Sequence, residues 1–435
     1  MPTLLQDLAL LETRGLVRTT REREKPIVRF KHALTREATY NSMLQARRAE
    51  LHRAAAETLT ALHRQPDLEM VLTIAEHWQR GGEDASVLET ILPHAQNLIY
   101  TGRSISLTAL LSRLEREHLD ASQQREMDLA LADAYAARGE YEPARQVFEH
   151  VLQTTGALAE RMRALHGMGV SEYHLGNFAR VIEIQETHLA LAQQEQDIVQ
   201  QARALSGLGA AYVGMGKYER ATECFQASRE KSIQAGRAQE LANAEANLAV
   251  ALYNRGEYEQ AIAAAEHALA LDEQNGVQVF NARTASLLGA SYFGLGDDAR
   301  AEYFYRRALD TSRALGDQLG TAAGLTNLAE LFGKRLELTN AAETYRQAIS
   351  ILEPLKQDVI LSFALAQLAE TERQQALAAQ TRTQFETLVS SATQHAEHAL
   401  NIAKRLTLDD QITTALEILN AIRAAAFDGA RLKGA

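Results

Sequence analysis

The sequence predicts an all-α protein built as a solenoid of stacked helix pairs. Three observations predict it: a glycine-led phrase recurs at near-constant spacing, a small residue recurs at a fixed distance before it, and the composition favours helix.

The phrase is read directly. Gly139-Glu140-Tyr141 is followed by Ala144, Gly176-Asn177-Phe178 by Val181, Gly216-Lys217-Tyr218 by Ala221, Gly256-Glu257-Tyr258 by Ala261, and Gly296-Asp297-Asp298 by Ala301. The leading glycines are 37, 40, 40 and 40 residues apart, and one further step lands on Leu336, with Leu338 and Ala341 in frame. The Gly216-Lys217 pair invites comparison with a phosphate loop, whose backbone amides wrap an anion. Such a loop also needs a glycine five residues earlier and Ser or Thr after the lysine. Ala211 and Tyr218 occupy those places, so Gly216 is read as the turn of a repeat unit.

Composition agrees. Alanine, leucine, glutamate, glutamine and arginine abound, and six prolines with modest valine and isoleucine leave little for a large sheet. The single cysteine, Cys224, excludes an internal disulfide framework and fits a reducing cytoplasm. Beside Phe225 on a predicted buried stripe, it is read as a small core filler. Asp7 and Glu12 stand where a signal core would be uncharged, and no apolar run reaches the roughly 18 residues that span a bilayer. A cytoplasmic protein without a membrane partner is expected. The net charge of -11 disfavours nonspecific nucleic-acid binding, although residues 1–64 carry +5 and the remainder -16.

Taken in order, LLQDLALLETRGLV is a helix stopped at Gly15, and REREK separates the short apolar runs at 16–17 and 27–30. Helix, strand, charged turn and strand make a partial winged-helix segment over 1–64, completed by a linker helix. Residues 65–124 read as one or two degenerate units lacking the Gly-x-Tyr turn, with Trp78 packed at the junction. Regular pairs fill 125–426. In each, a small residue lies seven places before the turn, at Ala132, Gly169, Gly209, Ala249, Gly289 and Ala329, where the helices approach closely. Tyr135, Tyr212, Leu252, Tyr292 and Phe332 follow in frame, with Tyr173 one place late, and Phe148, Phe225, Ala265, Tyr305 and Tyr345 pack from the second helices. TERQQALAAQTRTQFE extends a helix or inserts a loop, a terminal helix covers about 409–426, and 427–435 is a frayed tail.

The small residue, Tyr, Gly-x-Tyr, Ala and aromatic at these offsets resemble the tetratricopeptide repeat across roughly 125–350. The resemblance implies a right-handed superhelical solenoid whose first helices line a concave groove. Its usual period is about 34 residues; forty implies helices of about 16 residues, or about 24 Å. Such long units resemble those of maltose-activator-type bacterial regulators and of eukaryotic scaffold proteins. Phe30, His32, Leu34, Glu37, Tyr40, Arg47, Arg48, Leu51 and His52 resemble the FxHxLxxEAxY and RRxxLHxxxA segment of signal-transduction ATPases with numerous domains. There this segment joins the ATPase core to a helical arm. No Walker A sequence occurs here, so the chain resembles the arm without the core.

Catalytic and metal constellations are sparse. His395 and His398 share a helix without a second pair and read as a solvated face; His166 and His174 lack a nucleophile; no GxSxG, HExxH or CxxC occurs. No enzyme activity, cofactor or metal is expected. Binding is the remaining chemistry. One ladder on the concave face is Arg163, Arg203, Asn243, Arg283 and Ala323; its neighbour, four residues on, is Gly167, Gly207, Asn247, Leu287, Asn327 and Gln367. Guanidinium and amide groups one repeat apart fork onto the carboxylates and amides of an extended segment, while the glycines admit its backbone. The bland alternative pairs the arginines with Glu126, Asp133 or Glu330. The expected partner is thus a protein or peptide segment at Arg163, Arg203, Asn243, Asn247, Arg283 and Asn327, in a scaffold that regulates an ATPase core in cis or trans. A small-molecule effector held by Tyr173, Phe293 and Asn247 is the second reading, and DNA contact through the basic wing is the third.

Overall fold

The computed structural model describes residues 2–22, 25–274 and 281–431, and the chain forms two compact units, Met1–Ser171 and Glu172–Ala435.

In the first unit, α1 (Pro2–Thr13) turns at Gly15, φ 70°, into β1 (Val17–Glu22). This strand pairs antiparallel with β2 (Lys25–Phe30), Val17 opposite Phe30. Helix, strand and strand follow in the expected order, though residues 23 and 24 of REREK lie outside the described ones. Next come α2 (Ala33–Ser42) and α3 (Gln45–Leu62). The Tyr40 hydroxyl lies 2.9 Å from His52 Nε2, and Arg48 lies 5.2 Å from the Tyr40 ring centre. His52 Nδ1 in turn meets His77 Nδ1 at 2.9 Å on α4 (Leu68–Gly81). Gly81 admits α3 closely, since a Cβ there would stand 2.7 Å from the Arg53 side chain.

Over 65–124, where one or two degenerate units are expected, the chain is helical but the helices after the first are short. After α4 come α5 (Asp84–Ile91), α6 (Ala95–Tyr100) and α7 (Ser104–Leu111), of 8, 6 and 8 residues. Gly82 and Gly102, both with φ 76°, and Pro93 interrupt the helix too often for a pair of repeat length. Val87, Leu88, Ile91, Leu98, Leu107 and Leu111 form the buried core here, with Trp78 half-buried against it. Regular pairing begins with α8 (Ala121–Ala137) and α9 (Tyr141–Thr154). Asp120 starts α8 through a capping box with Gln123.

Beyond α10 (Leu158–His174), the second unit contains α11 (Phe178–Gln194), α12 (Ile198–Gly214), α13 (Tyr218–Ala235), α14 (Ala238–Asn254) and α15 (Tyr258–Gln274). It continues with α16 (Asn281–Gly294), α17 (Asp298–Leu315), α18 (Gln318–Lys334), α19 (Leu338–Leu355), α20 (Asp358–Leu377), α21 (Arg382–Arg405) and α22 (Asp409–Arg431). This is an all-α solenoid of tetratricopeptide-like pairs. The interruption before α21 is absorbed by lengthening: α20 has 20 residues and α21 has 24. The terminal helix runs on to Arg431, past the expected end.

Each turn within a pair closes the same way. Lys217 N donates to Tyr212 O at 2.8 Å and Gly216 N to Val213 O at 2.9 Å, with Gly216 left-handed at φ 70°. Glu257 to Leu252, Asp297 to Tyr292 and Glu337 to Phe332 repeat it, and Asn177 N donates to Glu172 O. Glu172, not Tyr173, therefore holds the frame position, which explains the displaced tyrosine. A Cβ on Gly209 would stand 2.5 Å from the Phe225 ring, and one on Gly289 would stand 2.5 Å from that of Tyr305. The glycines let those aromatics become fully buried, worth about 2–3 kcal/mol each.

Candidate functional site

In the second unit α12 touches α14, α14 touches α16, α16 touches α18 and α18 touches α20, while the intervening helices make no comparable mutual contact. The first helices are thus crowded on one side, as the inner wall of a solenoid must be. Of the expected ladders, Arg203, Asn243 and Arg283, with Gly207, Asn247, Leu287, Asn327 and Gln367, lie on these helices.

Their members are not equivalent. Arg163, in the first unit, is saturated: Nη1 meets Glu126 at 3.1 Å and Nη2 meets Asp133 at 2.7 Å. Burial pushes the Asp133 carboxyl up, against the pull of that guanidinium. Arg203 gives Nη2 to Glu240 at 2.7 Å and leaves the rest of its fork toward solvent. Arg283 is exposed, and among the described residues it makes no hydrogen bond or ion pair. Burial lowers the pKa of the His174 imidazole, and the Arg283 charge lowers it further. Asn243 is exposed and Asn247 half-buried, both without a hydrogen-bonding partner among the described residues, whereas Asn327 donates to Ser286 Oγ at 3.0 Å.

The expectation that glycines in the second ladder admit a ligand is overturned. A Cβ on Gly167 would stand 2.2 Å from the Phe148 ring, and one on Gly207 would stand 2.6 Å from the Gln185 side chain. Both glycines are filled by the preceding second helix. Of the aromatics expected to stack on a small molecule, Tyr173 packs against Phe178 and His174, and Phe293 lies 4.4 Å beneath Lys334 Nζ. His395 is likewise not part of a solvated face: its Nδ1 lies 2.8 Å from Glu372, which has 0% exposure and also takes Arg346 at 2.7 Å. Burial opposes the charge on Glu372, but hydrogen bonds from His395 and Arg346 outweigh it and lower its pKa. Cys224 is half-buried, and burial pushes its thiol up, away from reactivity.

One inner-wall residue was missed as a site. Glu330, on α18, accepts no hydrogen bond and forms no ion pair among the described residues. Its side chain is exposed, yet the protein around it keeps enough water from the carboxyl to raise its pKa. The Tyr253, Tyr305 and Tyr345 phenols, pushed up first by burial, are pushed further by the Glu330 charge. The equivalent residues Ala210, Val250 and Ala290 are small or aliphatic, so the first charge in that row was the available signal.

Comparison with known proteins follows this geometry. The tetratricopeptide repeat family model matches four windows, 160–234, 200–274, 240–314 and 280–353, each displaced by one 40-residue unit. Residues 160–353 are tetratricopeptide repeats. A signal-transduction ATPase with numerous domains from Pyrococcus horikoshii, carrying a tetratricopeptide repeat sensor, superposes with a TM-score of 0.61 at 12% identity over 94% of this chain. The chain spans 60% of that protein's length. A Rap protein complexed with competence and sporulation factor matches with a TM-score of 0.55 at 16% identity, covering 86% of this chain and 97% of that one. Apo RapI matches at 0.51 and 15% identity over 65% and 99%. At these identities the likeness is one of fold. No curated protein sequence matches the chain. Among the described residues no helix is long and apolar enough to cross a membrane, and no group of three or more His, Cys, Asp or Glu is placed to hold a metal ion.

Proposed function

We propose that the repeats form a sensing arm whose inner wall binds an extended peptide segment, and that this arm regulates a signalling ATPase core supplied in cis or in trans. The observation that carries the first part is the set Asn243, Asn247 and Arg283: two amides and a guanidinium on adjacent first helices, without a hydrogen bond or ion pair among the described residues. Carboxamides pair with peptide N–H and C=O groups, and a guanidinium forks onto a carboxylate. Arg203, held at one end by Glu240, adds a second fork. Arg163 and Asn327 are engaged internally and leave the proposed contact set. Support for the ATPase connection is the fold likeness to a protein of that class together with the Tyr40, Arg48 and His52 contacts that knit α2, α3 and α4.

The small-molecule reading loses its aromatic platform, because Tyr173 and Phe293 already have neighbours on their rings. The test is binding of the full chain to an array of synthetic hexapeptides, beside an Asn243→Ala, Asn247→Ala, Arg283→Glu variant of unchanged helicity. Peptides bound by the parent and weakened at least tenfold in the variant are expected. Equal binding by both would place the peptide site elsewhere.

A further inference from the structure

The seam between α3 and α4 has little apolar contact and several titratable groups. Of the 18 residues of α3 only His52 and Ala56 are buried, with Ala49, Ala55 and Leu59 half-buried, and α2 before it buries none. One alanine and the flanks of three small or aliphatic side chains supply modest hydrophobic adhesion. Arg53 adds an ion pair to Glu83 at 2.8 Å, but the two side chains are 41% and 39% exposed, and a pair so open to water contributes little. The remaining tie is a chain of three rings. The Tyr40 hydroxyl lies 2.9 Å from His52 Nε2, His52 Nδ1 lies 2.9 Å from His77 Nδ1, and the two imidazole centres are 5.0 Å apart.

This chain closes only at a limited proton count. In the neutral pair one Nδ1 carries a hydrogen and the other accepts it. When His52 donates, its Nε2 accepts from the Tyr40 hydroxyl; when His77 donates, His52 donates from Nε2 to the phenol oxygen. Either tautomer satisfies all four atoms. One added proton is accommodated, because a single hydrogen still lies between the facing nitrogens. A second sets N–H against N–H and places two cations side by side. The charged side chains around the pair are Arg48 and Arg53 on α3 and Glu76, Arg80 and Glu83 on α4. Arg48 lies 5.2 Å from the Tyr40 ring centre, Glu76 meets Arg80 at 3.8 Å, and Glu83 is held by Arg53, so each acid is already paired.

We infer that Tyr40, His52 and His77 form a proton-operated latch, closed when the imidazoles are neutral and opened by acid, that holds α3 and the elements before it against α4. Burial lowers the pKa of both imidazoles; the His77 and Arg80 charges lower that of His52 further, and for His77 the Arg80 charge lowers it while Glu76 raises it. Closure thus favours the neutral forms. The latch is fully closed above the ordinary imidazole value of about 6.5 and loses its hold as the pH falls from there through the lowered values. Opening takes up one or two protons, so the open population rises between about tenfold and about a hundredfold per pH unit. With so little else in the seam, the elements α1 to α3 would then move independently of the helices that follow. The latch does not rest on the peptide-binding reading, whose site lies in the second unit.

Hydrogen exchange of the full chain at low ionic strength tests it, read by mass spectrometry and corrected for the intrinsic pH dependence of amide exchange. Protection of α3 should fall at least tenfold per pH unit below about pH 6.5, while α8 and α9 keep theirs. The double variant His52→Gln, His77→Gln should lose that dependence. Arg80→Gln removes a cation from beside the pair and leaves its hydrogen bonds in place, so the onset should move to higher pH. Protection of α3 that does not change with pH, that falls together with α8 and α9, or that keeps its dependence in the double variant overturns the latch. If the double variant leaves α3 unprotected at every pH, Arg80→Gln decides: an onset moved upward supports the latch, and an unmoved onset overturns it.

Discussion

Replacing Leu336 with glycine should stabilise the protein. Leu336 holds the turn between α18 and α19 at φ 61°, in the place where Gly176, Gly216, Gly256 and Gly296 hold the equivalent turns at φ 70° to 81°. A left-handed conformation costs an L-residue about 1–2 kcal/mol, because Cβ crowds the following carbonyl. The side chain is 74% exposed, so its removal forfeits little burial. Glycine in turn loses more conformational freedom on folding, about 0.5–1 kcal/mol. The net gain is about 0.5–1 kcal/mol, or about 1–4 °C in melting temperature for a unit of this size. Thermal unfolding followed by circular dichroism measures it, with Gly216→Leu as the reciprocal change, expected to lower the melting temperature. An unchanged or lower melting temperature for Leu336→Gly would refute the reasoning and show that contacts of Leu336 outweigh its strain.

Three further outcomes are expected. Gly289→Ala should cost about 1–3 kcal/mol by overpacking the Tyr305 ring, and Tyr305→Leu in the same chain should recover part of it, as a double-mutant cycle in denaturant would show. His188 is 0% exposed, with Gln185 at 3.2 Å and Gln200 at 3.1 Å, and burial lowers its pKa. Its neutral form is favoured by folding, so stability should be complete above about pH 6.5 and fall as the pH drops from there through the folded pKa; His188→Gln should flatten that limb of a stability-against-pH profile. Removing both partners of Glu372, as Arg346→Met with His395→Phe, should cost about 3–5 kcal/mol by stranding a buried charge, and adding Glu372→Leu should recover most of it.

What the sequence disclosed depended on how local each constraint is. The 40-residue frame was legible because chirality demands glycine at the turn and close packing demands a small residue opposite each aromatic. A second series of left-handed turns, between pairs, escaped notice: Gln196, Gly236, Gly316 and Lys356 share one frame, but only two are glycines. Gly167 and Gly207 show the opposite difficulty. A glycine on a helix face announces a close approach without saying what approaches, and here Phe148 and Gln185 do so from within the fold. In residues 65–124 the apolar spacing resembled a repeat, yet glycine and proline shorten the helices after α4 to 8, 6 and 8 residues. Pairing of His395 with Glu372 was hidden because it joins residues 23 apart on two helices whose lengths depart from the repeat.

The free groups of the inner wall have a cause that can be traced through the same frame. Positions facing a neighbouring helix are held to small or bulky apolar residues by packing, whereas inner-wall positions meet only the next first helix and solvent, so their chemistry can change from unit to unit. Arg163 finds acids 37 and 30 residues earlier, at Glu126 and Asp133, and Arg203 finds one 37 residues later, at Glu240. Around Arg283 those same offsets fall on Ala246, Tyr253 and Gly320. An unpaired guanidinium on a wet wall costs little, because water solvates it. Glu330 lies one pair further on, likewise exposed and without a hydrogen bond or ion pair among the described residues, with Gly333 in the place where Glu370 finds Arg373. Neither group contributes to holding the pairs together, and the packing would accept alanine at both positions, as Ala323 and Ala290 show at the equivalent places. Arg283, exposed and without a hydrogen bond or ion pair among the described residues, is therefore a charge that fold stability does not require.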